Sequence, residues 1–125
     1  MTPDFVFKVR FVADTDQKRT KGLMFAEPLE DDEAVIFIFN TPDKYSFWNQ
    51  NVSFDLSLAF LDENSKIVDF VDLNKNDSTM KSPKSSKVRY VVEARKDAFK
   101  DNDIKIGDRI WYKDRELQVF KETKS

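Results

Sequence analysis

The sequence predicts a mainly β fold: a single-domain β sandwich or jelly-roll-like barrel with one or two short helices. The chain has 125 residues, a common size for one domain, and we expect residues 1–125 to fold around one core. It contains 12 phenylalanines and only 2 glycines. Bulky aromatic side chains fill the pleated surface of a sheet, and the apolar residues fall in short runs, several of which alternate with polar ones.

Residues 45–61 contain the clearest strand pattern in the chain. Alternate positions from residue 54 onward are all apolar, namely Phe54, Leu56, Leu58 and Phe60. The positions between them begin polar, with Asp55 and Ser57, and become apolar at Ala59 and Leu61. This period of two predicts a strand that is half-buried at its start and buried on both faces at its end.

Six further runs predict the remaining strands. They are residues 5–12, 34–39, 66–73 and 88–94, and a closing hairpin of residues 109–112 and 116–120. The continuous β-branched run at residues 34–39 is expected at the centre of the sheet, covered on both faces. Polar turns are expected at residues 40–44, around Pro42, and at residues 62–65, which join two strands of a hairpin.

Short helices and one long loop are predicted between these strands. Asp14, Thr15 and Asp16 can cap a helix over residues 17–21, which Gly22 ends. A second short helix is expected at residues 96–100. Residues 74–87 carry four lysines, four serines and Met80 as their one large apolar residue. Such a segment buries too little apolar surface to offset its ordering entropy, so we expect a mobile loop.

The composition argues against several classes of function. The formal net charge is −2 and the pI is about 5.2, so no overall positive field attracts nucleic acid or anionic lipid. The chain has no cysteine and no histidine, which removes thiol chemistry, the commonest general base and the commonest metal ligand. We expect no metal, no cofactor, and no nucleic-acid or membrane partner. Because the N-terminus lacks a signal-peptide pattern, we expect a cytoplasmic location.

Dispersed motifs along the chain resemble those of a known family. They are Lys21-Gly-Leu-Met-Phe25, Phe47-Trp48 with Asn51, Leu56, Phe60-Leu-Asp62, Arg89-Tyr-Val-Val-Glu93 and Gly107-Asp-Arg109. In this order and spacing the chain resembles domain-of-unknown-function family 192, a bacterial and archaeal family, over about residues 15–110. The resemblance implies a small, mainly β domain of sandwich or jelly-roll character, with residues 109–120 as a C-terminal hairpin extension. It implies no established activity.

The chain departs from the family pattern within its central stretch. Relatives typically read Phe-Trp-Met-Lys-Asn-Thr and then Pro-Leu-Asp. Here Asn49 and Gln50 stand for the Met and Lys, and Val52 stands for the Thr. Asp55 and Ser57 occupy the positions where Pro and Asp are usual. A carboxylate is thereby displaced by two residues, which keeps it on the same face of the strand.

Trp48, Asn51, Asp55 and Arg89 are the predicted ligand-binding residues. An indole beside several amides offers an apolar platform with donors and acceptors, as sugars, peptides and small polar metabolites require. The guanidinium of Arg89 is suited to an anionic group. The more ordinary alternatives are a Trp48 packed in the core, an Asn51 that satisfies backbone groups at the turn, and an ion pair for Arg89.

Three carboxylates lie within apolar strand patterns: Asp55, Asp69 and Glu93. Two of them facing one cavity would serve as acid and base in hydrolysis, one with a pKa raised by burial. Alternatively, they face solvent or form ion pairs with Arg89, Arg10 or Lys8. The spacing does not assign a catalytic residue.

These observations predict a small β domain that acts as a non-catalytic module and binds a small polar ligand or a protein partner near Trp48 and Asn51. Two alternatives remain open. One is a carboxylate-dependent hydrolase acting on a sugar or another small polar substrate, and the other is an accessory structural subunit. The sequence does not specify the ligand or the oligomeric state.

Overall fold

The computed structural model describes residues 1–122 and contains seven strands and two short helices within them. In chain order they are β1 (Phe5–Ala13), α1 (Asp16–Lys21), β2 (Glu33–Asp43), β3 (Leu56–Leu61), β4 (Ile67–Leu73), β5 (Val88–Arg95), α2 (Ala98–Asp101), β6 (Arg109–Lys113) and β7 (Glu116–Phe120). The mainly β prediction is confirmed. Neither helix is long and apolar enough to cross a bilayer.

All the strands belong to one seven-stranded sheet in the order β4-β3-β5-β2-β1-β7-β6. β1 and β2 pair in parallel, whereas every other neighbouring pair is antiparallel. The sheet curls so far that its two edges meet at one end, where Lys66, just before β4, forms a bridge with Arg109 of β6. The result is a half-barrel, and the sandwich or jelly-roll form suggested by the sequence is not confirmed.

Each face of the curled sheet carries its own apolar core. The enclosed face contains buried residues from all seven strands and is closed by Ala98 and Phe99 of α2. The outer face contains buried residues from β1 to β5 only, and it is covered by Leu23, Leu29 and Val52 from the connecting segments. β3 contributes to both cores, as its alternation predicts. Leu56, Leu58 and Phe60 pack in the outer core, and Ala59 and Leu61 pack in the enclosed one.

The predicted turn at residues 40–44 is wrong, because β2 continues to Asp43. Its pairing with β5 changes register between Ile38 and Asp43. Pro42 lies inside this irregular part, where no residue of β5 is paired with it, so its missing N–H removes no ladder hydrogen bond. The predicted hairpins β3–β4 and β6–β7 are confirmed.

Two segments outside the sheet bring further residues to its outer face. The first is α1, which Thr15 caps by accepting a hydrogen bond from the Lys18 N–H at 3.2 Å, and which ends at Gly22 with a positive φ of 49°. The second is residues 74–87, which contain no helix or strand. Phe47 and Lys81 exchange two backbone hydrogen bonds, of 2.8 and 2.7 Å, and thereby tie this segment to residues 45–52. Its mobility stays a prediction.

Candidate functional site

A cavity of about 350 Å³ lies beside Trp48 on the outer face of the sheet. Its lining comes from α1 and the residues after it, from β2, from residues 45–52, and from single residues of β3, β5 and the 74–87 segment. We call it the Trp48 cavity. Five aromatic side chains are part of the lining: Phe37, Phe39, Tyr45, Phe47 and Trp48.

The aromatic walls of the Trp48 cavity are held by ring contacts. The rings of Phe39 and Tyr45 stack almost parallel, with centroids 3.6 Å apart. Phe47 packs edge-on against Phe37, with a centroid separation of 5.1 Å, and against Phe60 at 5.9 Å. Trp48 stays 44% exposed at the surface, so the alternative in which it packs in the core is wrong.

Glu93 is a buried carboxyl in this lining. It lies on β5, where Val35 of β2 and Leu58 of β3 are its direct cross-strand neighbours. Both neighbours are fully buried, and Glu93 is only 4% exposed. Its Oε1 atom has no hydrogen-bond partner among residues 1–122. Burial in this apolar row raises the pKa of Glu93 to about 8, so the carboxyl is mostly protonated at neutral pH.

Asn49 supplies a second buried polar group to the same cavity. Its side-chain N–H groups donate to the carbonyls of Phe54 and Asn74, each at 3.0 Å, and its backbone N–H donates to Asp77 at 2.8 Å. The two side-chain bonds fix which end of the amide is nitrogen. The amide oxygen Oδ1 is buried without a partner in the described part of the chain, and the residue is 1% exposed.

Three charged residues of α1 line the cavity, Asp16, Arg19 and Lys21, and the first two are bonded to each other. Arg19 donates to the Ile38 carbonyl at 2.6 Å and to Asp16 Oδ1 at 2.8 Å, and its guanidinium lies 5.3 Å from the centroid of the Phe39 ring. Within residues 1–122, no three acidic, His or Cys side chains are placed to hold a metal ion together. The uncharged part of the lining offers hydrogen-bonding oxygens and aromatic surface.

Of the four residues predicted to bind a ligand, the structure brings only Trp48 to this cavity. Asn51 is exposed, with a positive φ of 60°, and its carbonyl accepts a hydrogen bond from the Phe25 N–H at 2.9 Å. Its backbone conformation therefore shapes the turn that follows Trp48.

Asp55 and Arg89 also lie outside the lining. Asp55 Oδ1 accepts a hydrogen bond from the Lys75 N–H at 2.7 Å. Arg89 forms an ion pair with Glu63 at 3.6 Å and donates to the Phe39 carbonyl. Ligand binding by Asn51, Asp55 and Arg89 stays a prediction that depends on surfaces other than this cavity.

The three candidate carboxylates do not share the cavity. Asp55 and Asp69 are each bonded to backbone N–H groups, Asp69 to those of Phe70 at 2.8 Å and Lys84 at 2.9 Å. Glu93 alone of the three lines the cavity, and it has neither the solvent exposure nor the ion pair of the sequence alternatives. Asn49 is one of the amides that the sequence places beside Trp48, but the sequence prediction chose Asn51 as the binding residue. The available signal was the departure from the family pattern at position 49.

Comparisons with known proteins agree with this fold. The model of domain-of-unknown-function family 192, described as uncharacterized ACR, matches residues 4–112. No curated protein matches the chain. A protein of unknown function from Novosphingobium aromaticivorans is 28% identical, with a TM-score of 0.78 over 84% of this chain and 74% of its own.

A second solved structure, a suggested transcription regulator from Sinorhizobium meliloti, is 21% identical, with a TM-score of 0.77 over 82% of this chain and 79% of its own. At this identity the likeness shows the fold alone. The family match is broader evidence, because it runs from the residue before β1 to the last residue but one of β6. The chain therefore belongs to domain-of-unknown-function family 192, an uncharacterised family.

Proposed function

We propose that this domain binds a small polar ligand in the Trp48 cavity. The observation that carries the proposal is the pair of unpartnered polar atoms, Glu93 Oε1 and Asn49 Oδ1, which are both buried in residues that line one cavity. Leaving a buried polar group without a hydrogen bond costs about 1–3 kcal/mol, and native structures contain few such groups. A ligand that bonds to these atoms removes that cost.

The size and chemistry of the cavity support the same function. A volume of about 350 Å³ is at the lower end of the range for small-molecule sites, which typically combine apolar walls with a few polar groups. The aromatic side chains supply the walls, and Glu93 and Asn49 supply the polar groups. Trp48 adds a half-exposed indole with a flat apolar face.

A thermal-shift screen tests the proposal, since a ligand that binds only the native state raises the unfolding temperature. The screen should cover amines, polyols and monosaccharides, nucleosides, short carboxylic acids and divalent metal ions. We expect at least one class to stabilise the parent protein and to stabilise Trp48→Ala much less. Thr20→Trp, which places an indole at an exposed position of the lining, should also reduce the effect.

Trp111→Ala is the matched control for Trp48→Ala. Trp111 lies on β6, is 43% exposed, and is not part of the Trp48 cavity, so the two substitutions remove the same side chain at equal exposure. If Trp48→Ala and Trp111→Ala lose the stabilisation equally, the ligand binds elsewhere. The same conclusion follows if Trp48→Ala and Thr20→Trp both retain it. A screen in which no compound stabilises the parent would refute ligand binding for the classes tested.

Hydrolysis is a second candidate, because a protonated buried carboxyl is the state that a general acid requires. A glycosidase-like reaction also needs a second carboxylate within about 5–10 Å. Asp55 and Asp69 do not line the cavity, and Asp16, which does, is fully exposed and forms an ion pair with Arg19 at 2.8 Å. Chromogenic esters and glycosides provide the test. Turnover that disappears in Glu93→Gln but persists in Trp111→Ala would favour the hydrolase over the binding module.

A further inference from the structure

The groups that Glu93 and Asn49 leave unpartnered are oxygens. The amide nitrogen of Asn49 is committed to the carbonyls of Phe54 and Asn74, so this side chain offers the cavity only an acceptor. Glu93 Oε1 is the other free oxygen. When Glu93 is ionised, both groups accept hydrogen bonds and neither donates. The complementary ligand therefore brings several N–H or O–H donors on one atom or on neighbouring atoms.

The protein itself supplies no cation to the Glu93 carboxyl. Its direct neighbours across the sheet are Val35 and Leu58, and the pKa of Glu93 is raised by burial, with no charged partner opposing that effect. Two cations line the cavity, but the Arg19 guanidinium is bonded to the Ile38 carbonyl and to Asp16, and Lys21 is exposed and does not offset the effect of burial on the pKa of Glu93. The Glu93 carboxyl therefore has no counter-ion among the described residues.

The aromatic walls are also suited to a cation. Ring faces carry negative electrostatic potential and attract ammonium and guanidinium groups within about 6 Å. The guanidinium of Arg19, 5.3 Å from the Phe39 ring centroid, already forms such a contact in this wall. Phe37, Phe47, Tyr45 and Trp48 provide four more rings around the same space.

We propose that the ligand of the Trp48 cavity is a small primary amine, whose ammonium group donates hydrogen bonds to Glu93 Oε1 and Asn49 Oδ1 and lies against the aromatic walls. This inference rests on the proposed function and adds the ligand class to it. An ammonium group has three donors and one positive charge, so it satisfies both oxygens and supplies the counter-ion that Glu93 lacks.

Proton balance distinguishes an amine from a neutral ligand. Glu93 is mostly protonated in the free protein at neutral pH. Binding an ammonium ion ionises this carboxyl, and its proton passes to solvent, so one ammonium is taken up and about one proton is released per binding event. A neutral alcohol accepts a hydrogen bond from the protonated carboxyl and donates one to Asn49, and it releases no proton.

The test compares n-pentylamine with n-pentanol, which share an apolar body and differ in the head group, alongside shorter and longer amines and one diamine. Binding is followed by thermal shift and by the fluorescence of Trp48 in a Trp111→Phe background, where Trp48 is the one tryptophan left. We expect amine affinity to rise about tenfold per pH unit between about pH 6 and 7 and to level off above about pH 8.

Calorimetry in two buffers of different ionisation enthalpy counts the protons released. Glu93→Gln keeps the shape of the side chain but cannot ionise, so it should bind pentylamine at least about tenfold more weakly and abolish the pH dependence. Trp111→Ala should bind pentylamine as the parent does. If Glu93 had only a structural role, Glu93→Gln would leave the pH dependence of pentylamine affinity unchanged.

The possible failures of the two proposals can be told apart. If pentanol or another neutral compound binds while no amine does, or if amines bind with no proton release and equally well to Glu93→Gln, the amine inference is wrong and ligand binding in the cavity stands. If no compound of any class raises the unfolding temperature of the parent, both proposals fail.

Discussion

Asp108 and Glu93 are two carboxyl groups with equally low solvent exposure and opposite surroundings. Asp108 precedes β6 and is 3% exposed, and Glu93 on β5 is 4% exposed. Asp108 accepts hydrogen bonds from the Lys121 ammonium at 2.6 Å and from two backbone N–H groups, those of Lys105 at 2.8 Å and Glu122 at 2.9 Å. Glu93 lines the Trp48 cavity, and its buried Oε1 atom has no partner in the described chain.

The two pKa values move in opposite directions as a result. Burial alone would raise the pKa of Asp108, but the hydrogen bonds from Lys121 and the two backbone groups outweigh burial and lower it. The pKa of Glu93 is raised by burial, because nothing opposes it. Burial by itself therefore does not distinguish a structural carboxylate from a binding group. The difference lies in whether the fold supplies hydrogen-bond partners, which it does for Asp108 and does not for Glu93.

The largest effect is expected from Glu93→Gln when the unfolding free energy is measured against pH. The native state holds a proton on Glu93 up to about pH 8, whereas an unfolded glutamate loses it near pH 4.5. Between these pH values the native state binds more protons than the unfolded state. The contribution of Glu93 to the unfolding free energy is therefore fully present below about pH 4.5 and is lost as pH rises toward 8. The total loss approaches about 5 kcal/mol, since each pKa unit corresponds to about 1.4 kcal/mol.

Chemical denaturation at several pH values checks this prediction. Glu93→Gln should be more stable than the parent by about 3 kcal/mol at pH 7 and should resemble it near pH 4.5. Glu116→Gln, an exposed change on β7, should follow the parent curve throughout. If the difference in unfolding free energy between the parent and Glu93→Gln does not depend on pH, then Glu93 is ionised in the native state and the prediction is wrong.

Asp108→Ala should act in the other direction, because it leaves the Lys121 ammonium and two N–H groups without their acceptor. We expect a loss of about 3 kcal/mol of unfolding free energy at neutral pH. Because the pKa of Asp108 is lowered, its contribution is present above the unfolded pKa of 3.8 and is lost as pH falls further, so the difference should shrink in acid.

Asp14→Ala is the control for this change. It removes an exposed ion pair with Lys18 at 3.5 Å and should change the unfolding free energy by less than about 1 kcal/mol. Equal effects of the two substitutions, measured by urea denaturation, would contradict the assignment of Asp108 as a structural carboxylate.

The strands were predictable from the sequence because each depends on a local pattern. The alternation in residues 54–61 predicts β3 and its burial on two faces, and Thr15 and Gly22 mark the ends of α1. The extent of β2 was not predictable, since Pro42 signals a turn unless the neighbouring strand changes register beside it. Strand order depends on pairings across the whole chain, including the parallel pair β1–β2.

The site was only partly predictable, for the same reason. Trp48 was found because an indole beside amides is a local signal. Glu93 was recognised as a carboxyl in an apolar strand, but its lack of a partner depends on Val35 and Leu58, which pair with it from distant parts of the chain. Asn49 and Asn51 are the same residue type two positions apart, and what separates them is the packing of Asn49 against the Phe54 carbonyl and the 74–77 segment.

Asn49 and Asn51 provide the test with the smallest expected effects. They allow buried polar groups with and without partners to be compared within one turn. Asn49 combines both environments, because its nitrogen is bonded to two carbonyls and its oxygen is buried without a partner in the described chain. Asn49→Ala should cost about 2 kcal/mol, since it removes the donors of two carbonyls. Asn51→Gly should change stability by less than about 1 kcal/mol, because the residue is exposed and glycine adopts its positive φ without strain.

Affinity measurements distinguish a binding role of the Asn49 amide oxygen from the structural role of the amide nitrogen. If the oxygen is a binding group, Asn49→Ala should weaken the amine more than the loss of stability explains, when affinity is measured well below the unfolding temperature of the variant. Asn51→Gly should leave affinity within about twofold of the parent, since Asn51 is not part of the lining. The reverse ranking would favour Asn51, and the surface turn where it lies, as the recognition element. In that case the unpartnered oxygen of Asn49 would be a cost of the turn geometry and not a feature of a binding site.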